Sequence, residues 1–377
     1  MTRLINRPTI LALLAAFIIG YYAVAAQTQS PDQKLDTAAL VNAPAVPQMV
    51  VDSDGTLHFG PRTVPMPALA SPESKRVYVA WAVQRAQASA ARGGLASVRM
   101  TGGNVAEVPP EPDLKVAALK TYPVVEEKQT IAGVEVTVFS PKTLPARNRN
   151  KVVMEFQMAV EAISIANLGQ LKVIHFDTAG PAYRDRGGPA GIPAIVDIVT
   201  VYRELLKTYK PKNIGMFGAS SGCRLAQATV MWLPEQKLPF PGAVGLNSCA
   251  GGTNPGDVRN TLNGLDPALS TALQPPGQGG GGGGGRNAVP RKPSDPQATP
   301  LDGVIAKGYP PAFLLAGTRD MCLSESVLLH RKLRNAGVDA DLNIFEGMWH
   351  YFWQYPDLPE SRDAMTAEAN FFNLHLQ

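Results

Sequence analysis

Valines at 134, 136 and 138 alternate with Glu135 and Thr137. A period of two places one set of side chains on one face, so this stretch reads as a half-buried β-strand, with Gly133 joining it to an earlier strand as a hairpin. Further on the alternation gives way to short apolar runs: KVVMEF at 151–156, KVIHF at 172–176, then Ile214–Phe217, Ala243–Leu246, Ala312–Ala316 and Asp341–Ile344. Runs of this length predict strands buried on both faces. Between them the period is helical. Ile195, Ile198, Val199, Tyr202, Leu205 and Leu206 form one stripe across Ile192–Tyr209. Helices are also predicted at Ala159–Leu168, Ala226–Leu233, Ser324–Ala336 and Glu360–Leu374. Strands alternating with helices imply βαβ crossovers and a mostly parallel sheet flanked by helices, an α/β fold.

The ends of the chain follow different rules. Residues 1–26 carry Arg3 and Arg7, an apolar run from Ile10 to Ala26, and a small-residue close at Ala23-Val24-Ala25-Ala26. This predicts a signal peptide and an exported protein, periplasmic or secreted. The rival reading is an uncleaved membrane anchor, since the run just reaches the minimum of about 17 residues for crossing a bilayer. Residues 27–125 read as an extended leader followed by a helix: Ser71-Pro72-Glu73 supplies an N-cap, a proline at the first helical position and an acid in the first turn. The main domain is expected over 126–377. A Pro/Gly-rich excursion at 274–298 interrupts it, including the unbroken run Gly279–Gly285. Glycine loses the most entropy on ordering, so no packed element is expected there.

Composition removes several classes of function. The net charge is +4 and Lys and Arg are dispersed, so no basic tract argues for nucleic acid. No Gly-Lys-Ser/Thr follows a strand, which excludes a phosphate-cradling loop. The three cysteines, Cys223, Cys249 and Cys322, have no zinc-type spacing. Cys249 and Cys322 follow strands expected to be neighbours and form a candidate disulfide, whereas Cys223 reads as a small packed residue.

The chemistry centres on Gly218-Ala219-Ser220-Ser221-Gly222. Gly-x-Ser-x-Gly is a weak signal alone, but here it falls between a buried strand and a helix. That context forces a tight turn that lifts a serine hydroxyl above the sheet. A serine needs a base, and the base needs an orienting carboxylate. Asp320 lies just past the strand Ala312–Ala316, and His350 just past Asp341–Ile344. Both stand at carboxyl ends of strands, where open α/β sheets gather their sites. Ser220, Asp320 and His350 are therefore the candidate catalytic triad, with the amide of Ser221 as an oxyanion donor.

From about Ile131 onward the chain resembles bacterial esterases of the hormone-sensitive-lipase type. The resemblance rests on IAGVEVTVFSPKTLP, VYRELLKTYKPKNIGMFGASSG, PPAFLLAGTRD, LRNAGVDADLNIFEGMWHYF and DLPESRDA. It implies an α/β-hydrolase fold, a small helical cap built from the N-terminal helices within 27–125, and hydrolysis of small carboxylic esters through Ser220, Asp320 and His350, with no metal or cofactor. It also implies a His-Gly-Gly-Gly loop after the strand KVVMEF, whose amides make most of the oxyanion hole. Here Phe156 is followed instead by Gln157-Met158-Ala159. Gln157 and Ala159 are the candidate second donors by position, while Gly187-Gly188 reads as a turn. Two functions follow: a serine esterase, or a catalytically impaired binding module of the same fold because the loop is missing.

Overall fold

The computed structural model describes residues 50–51, 57–58, 66–91, 112–188, 191–249, 258, 295–301 and 303–377. The apolar segment 1–26, the rest of the leader up to 49, and the glycine run lie outside the described residues. Among the described residues, no helix is long and apolar enough to cross a membrane. The chain divides into two compact units, Met1–Val64 and Pro65–Gln377. The first contains a short antiparallel pair, Val50–Val51 with Leu57–His58.

The second unit is built on eight strands: β1 (Val125–Ile131), β2 (Val134–Ser140), β3 (Val152–Phe156), β4 (Lys172–Phe176), β5 (Ile214–Ala219), β6 (Ala243–Asn247), β7 (Ala312–Gly317) and β8 (Ala340–Phe345). Their order across the sheet is β8-β7-β6-β5-β3-β4-β2-β1. β1 and β2 form the expected hairpin, turning at Ala132 (φ 50°) and Gly133 (φ 86°). Positive φ at both central residues suits the twist of the strands they join. β2 also pairs antiparallel with β4, and every other pairing is parallel. As the sequence pattern requires, β2 buries Val134, Val136 and Val138, and β3 is buried along its whole length.

The helices are α1 (Pro72–Ala91), α2 (Leu114–Thr121), α3 (Ala159–Gly169), α4 (Ile192–Leu205), α5 (Ser221–Trp232), α6 (Leu323–Asn335) and α7 (Pro359–His375). They cover both faces. Met154, Met216, Leu246 and Leu314 pack with α4, α5 and α6 residues such as Ile198, Leu225 and Leu329. Val153, Phe217, Phe313 and Leu315 point the other way, onto Ile163 of α3 and Phe372 of α7. Two fully buried layers around a parallel sheet explain the continuous apolar runs of its strands. α5 starts five residues before the predicted helix at Ala226, because it begins immediately after Ser220. Ser71 caps α1 as expected: its Oγ accepts the Ser74 N–H at 3.0 Å, and it donates to Glu360 of α7 at 2.8 Å.

Candidate active site

The turn from β5 into α5 sets the site. Ser220 has φ 52° and ψ −111°, a conformation that side chains rarely adopt. Strain of this kind costs about 1–3 kcal/mol and persists only where the surroundings impose it. The surroundings do so here. The Ser220 N–H donates to Asn247 O at 2.9 Å, and its carbonyl accepts the Arg224 N–H at 3.1 Å, opening α5. Close approach also dictates Gly222: a Cβ there would lie 1.9 Å from Phe156 O, inside the end of β3. The motif's last glycine is therefore a packing requirement, and the serine side chain is left free of any capping role.

The candidate acid and base, Asp320 and His350, lie side by side. His350 Nδ1 lies 3.0 Å from Asp320 Oδ1, with both residues buried. Asp320 is held on each side: the Cys322 N–H donates to Oδ1 at 2.8 Å, and the Ser248 hydroxyl donates to Oδ2. The loops after β7 and β8 are laced together, since the Arg319 N–H donates to Met348 O at 2.9 Å. On the other side of the base loop, Tyr78 and Trp81 of α1 pack on Trp349, with ring centroids 5.5 and 5.8 Å apart.

Tyr351 connects this pair to the elbow. It sits in the left-handed region at φ 67°, and its ring centroid lies 4.2 Å from that of His350. Burial pushes the ionisation of its phenol up, and the Ser220 side chain beside it works the other way. A chain of contacts thus runs from Ser220 to Asn247, from the adjoining Ser248 to Asp320, from Asp320 to His350, and from His350 to Tyr351. Sequence reasoning missed Tyr351, Asn247 and Ser248. For Tyr351 the only signal was adjacency to His350.

At the oxyanion position β3 runs almost directly into α3. Gln157, at φ 107°, and Met158 alone separate them, so the glycine loop implied by the resemblance is replaced by two residues. The backbone N–H of Gln157 is engaged by Phe176 O at 2.9 Å. Its side-chain oxygen accepts the Ser221 hydroxyl. That bond brings the starts of α3 and α5 together. Ala159 and Ser221 are the first helical residues of the two, where N–H groups lack intrahelical acceptors and the helix dipole favours negative charge. Gly187 and Gly188 (φ 105° and 77°) form a turn in which the Gly188 N–H donates to Tyr183 O.

The cysteines pair differently from the expectation. Cys249 is bonded to Cys223, with Cα atoms 5.2 Å apart, and Cys322 is a buried thiol outside the bridge. Cys223 lies in the first turn of α5 and Cys249 two residues past β6. β6 is flanked by both β5 and β7, and the loop takes the β5 side. The bridge ties α5, the helix that follows Ser220, to the segment bearing Ser248. It closes a loop with a sequence separation of 26, for which chain-entropy reasoning gives about 3.5 kcal/mol. Reduction with dithiothreitol is expected to lower the melting temperature measurably, with recovery on reoxidation; an unchanged melting curve would show that the bridge contributes nothing.

Asp320, Cys322 and His350 also bring ligand-type atoms within 4.8 Å of one another. His350 Nδ1 already bonds to Asp320, so this group is the candidate acid–base pair with a thiol beside it.

Comparison with known proteins gives a consistent picture. A family model described as an alpha/beta hydrolase fold matches residues 190–354. An esterase of Acinetobacter venetianus is 29% identical over 211 residues, covering 55% of this chain and 66% of that protein. Among solved structures, esterase E25 is 27% identical with a TM-score of 0.63, covering 85% of this chain and 99% of the other. An esterase from the bacterial hormone-sensitive lipase family is 22% identical, with a TM-score of 0.56 over 81% of this chain and 99% of its own.

Proposed function

We propose that this chain, which has the α/β-hydrolase fold and is similar to bacterial esterases, is a serine hydrolase of the hormone-sensitive-lipase esterase type, cleaving small carboxylic esters by way of an acyl-enzyme. The observation that carries this reading is the Ser220 backbone, held at φ 52° and ψ −111° between a buried strand and a helix start.

In the first half-reaction the Ser220 hydroxyl attacks the ester carbonyl while His350 takes its proton. The tetrahedral intermediate collapses, His350 gives that proton to the departing alcohol, and the acyl group stays on Ser220. Water then attacks the acyl-enzyme with His350 again as base, releasing the acid and restoring the serine. Asp320 holds the imidazole and stabilises its charged form; the bonds from Ser248 and the Cys322 amide keep its carboxylate in place. The oxyanion is received by the Ser221 amide and by the Tyr351 phenol. Tyr351 is favoured over Gln157 and Ala159 as second donor because its ring stands 4.2 Å from that of His350 and its phenol lies beside the Ser220 side chain.

Export is part of the proposal. The apolar stretch near the N-terminus supports it, and so does the Cys223–Cys249 bridge, since disulfides persist in oxidising compartments.

Treatment with a fluorophosphonate, followed by mass spectrometry of the peptide bearing Ser220, tests the reading. A stoichiometric adduct on Ser220, together with turnover of a short-chain aryl ester, is the expected outcome. The absence of glycines after β3 favours the rival reading, an impaired module of the same fold. An unlabelled Ser220 with no ester turnover would establish that rival.

A further inference from the structure

Three carboxyl groups lie fully buried beneath the site, and the chemistry above uses none of them: Glu155 on β3, Glu161 on α3 and Glu368 on α7. Each is bonded to a different part of the machinery. Glu155 Oε1 accepts the Met158 N–H at 2.7 Å, fixing the two-residue turn that replaced the glycine loop. Its other oxygen meets Nδ1 of His175, its cross-strand partner on β4. Glu161 Oε1 accepts the indole N–H of Trp353, three residues after His350. Glu368 Oε2 accepts the side-chain N–H of Asn247 at 2.9 Å. The backbone oxygen of that same Asn247 receives the Ser220 N–H. β6 is shaped around the last of these acids, because a Cβ on Gly245 would lie 2.2 Å from Glu368 Oε1.

We propose that Glu155, Glu161 and Glu368 form one positioning network that holds the oxyanion turn, the elbow and the base-bearing loop in register, replacing the missing glycine loop. This rests on the esterase reading. An isolated buried carboxylate would be costly, whereas a neutral, hydrogen-bonded acid is less so; both oxygens of Glu155 are bonded, and Glu161 and Glu368 are each bonded through one oxygen. Burial drives all three acids well above the usual carboxylate range, and the neighbouring acids push Glu161 and Glu368 further. Burial likewise lowers His175 to about 4, leaving it neutral. Glu155 therefore donates its O–H to His175 Nδ1 while its carbonyl oxygen accepts from Met158. A glutamine at 155 reproduces that arrangement, with its NH₂ in place of the O–H. A methionine fills the space and offers no acceptor.

The network acts through geometry, so its loss should appear in kcat and not in KM. Glu155→Met is expected to lower kcat on a short-chain aryl ester by about 10- to 100-fold, the scale of a displacement of about 1 Å at a reacting centre. KM should change by less than about threefold, and Glu155→Gln should restore kcat to within about threefold of wild type. Hydrogen exchange of the peptide spanning 157–158 supplies a readout independent of turnover: faster in Glu155→Met, unchanged in Glu155→Gln. If Glu155→Met does not fold, Glu368→Met is the second variant, expected to accelerate exchange at the Ser220 amide and to lower kcat in the same way. Equal kcat and equal exchange in the Gln and Met variants would overturn the proposal while leaving the esterase reading intact. An inactive wild type would sink the esterase reading, and exchange at 157–158 would still decide whether the network holds the turn.

Discussion

Ser220→Ala is expected to lower kcat/KM for a short-chain aryl ester by about 10⁴-fold or more, with the fold and the melting temperature retained. The variant loses one oxygen and nothing structural. The Ser220 side chain caps no helix, and the bonds that impose its backbone run through its N–H and carbonyl. Alanine at φ 52° is no more strained than serine, so the elbow survives without its nucleophile. Steady-state kinetics with circular dichroism makes the measurement. Residual activity within tenfold of wild type would show that turnover does not pass through this hydroxyl. Ser221, the neighbouring hydroxyl, is bonded to Gln157 and in the wrong register to replace it.

Tyr351→Phe should have the next largest effect, a fall in kcat of about 10²–10³-fold with KM little changed, the usual consequence of removing one oxyanion donor. Phenylalanine keeps the ring that stands 4.2 Å from His350 and the T-shaped contact with Trp353. The loss therefore isolates the hydroxyl. In an enzyme with a full glycine loop one phenol would matter less. Here β3 and α3 are separated by two residues, and the backbone N–H of Gln157 is already engaged by Phe176. A kcat within threefold of wild type would remove Tyr351 from the hole and return Gln157 and Ala159 as the donors to test. A rise in KM without a fall in kcat would make Tyr351 a binding-pocket residue.

The three proposed catalytic side chains were legible because each stands at the end of an apolar run. Asp320 follows β7 and His350 follows β8, and an open parallel sheet brings such ends together along one rim. The glycine at 222 was legible for the same reason, since the turn after β5 had to pass close to β3. The cysteine pairing was less so. Cys249 follows a strand with a neighbour on each side, and nothing in the chain order says which side its loop will take.

Tyr351 and the three buried acids could not be read at all. Glu155, Glu161 and Glu368 lie far apart in sequence, and local patterning treats a glutamate as a surface residue. Only the packed structure shows the partners that make its burial tolerable. By itself, the sequence determined the alternation of strands and helices, the layering of the sheet, and which residues would stand at its carboxyl edge, because local periodicity decides which face of each element is apolar. The tertiary structure alone decided which phenol stands beside His350, which cysteines join, and what supports the turn without glycines, because contacts between distant segments depend on how finished elements pack and not on any pattern within one of them.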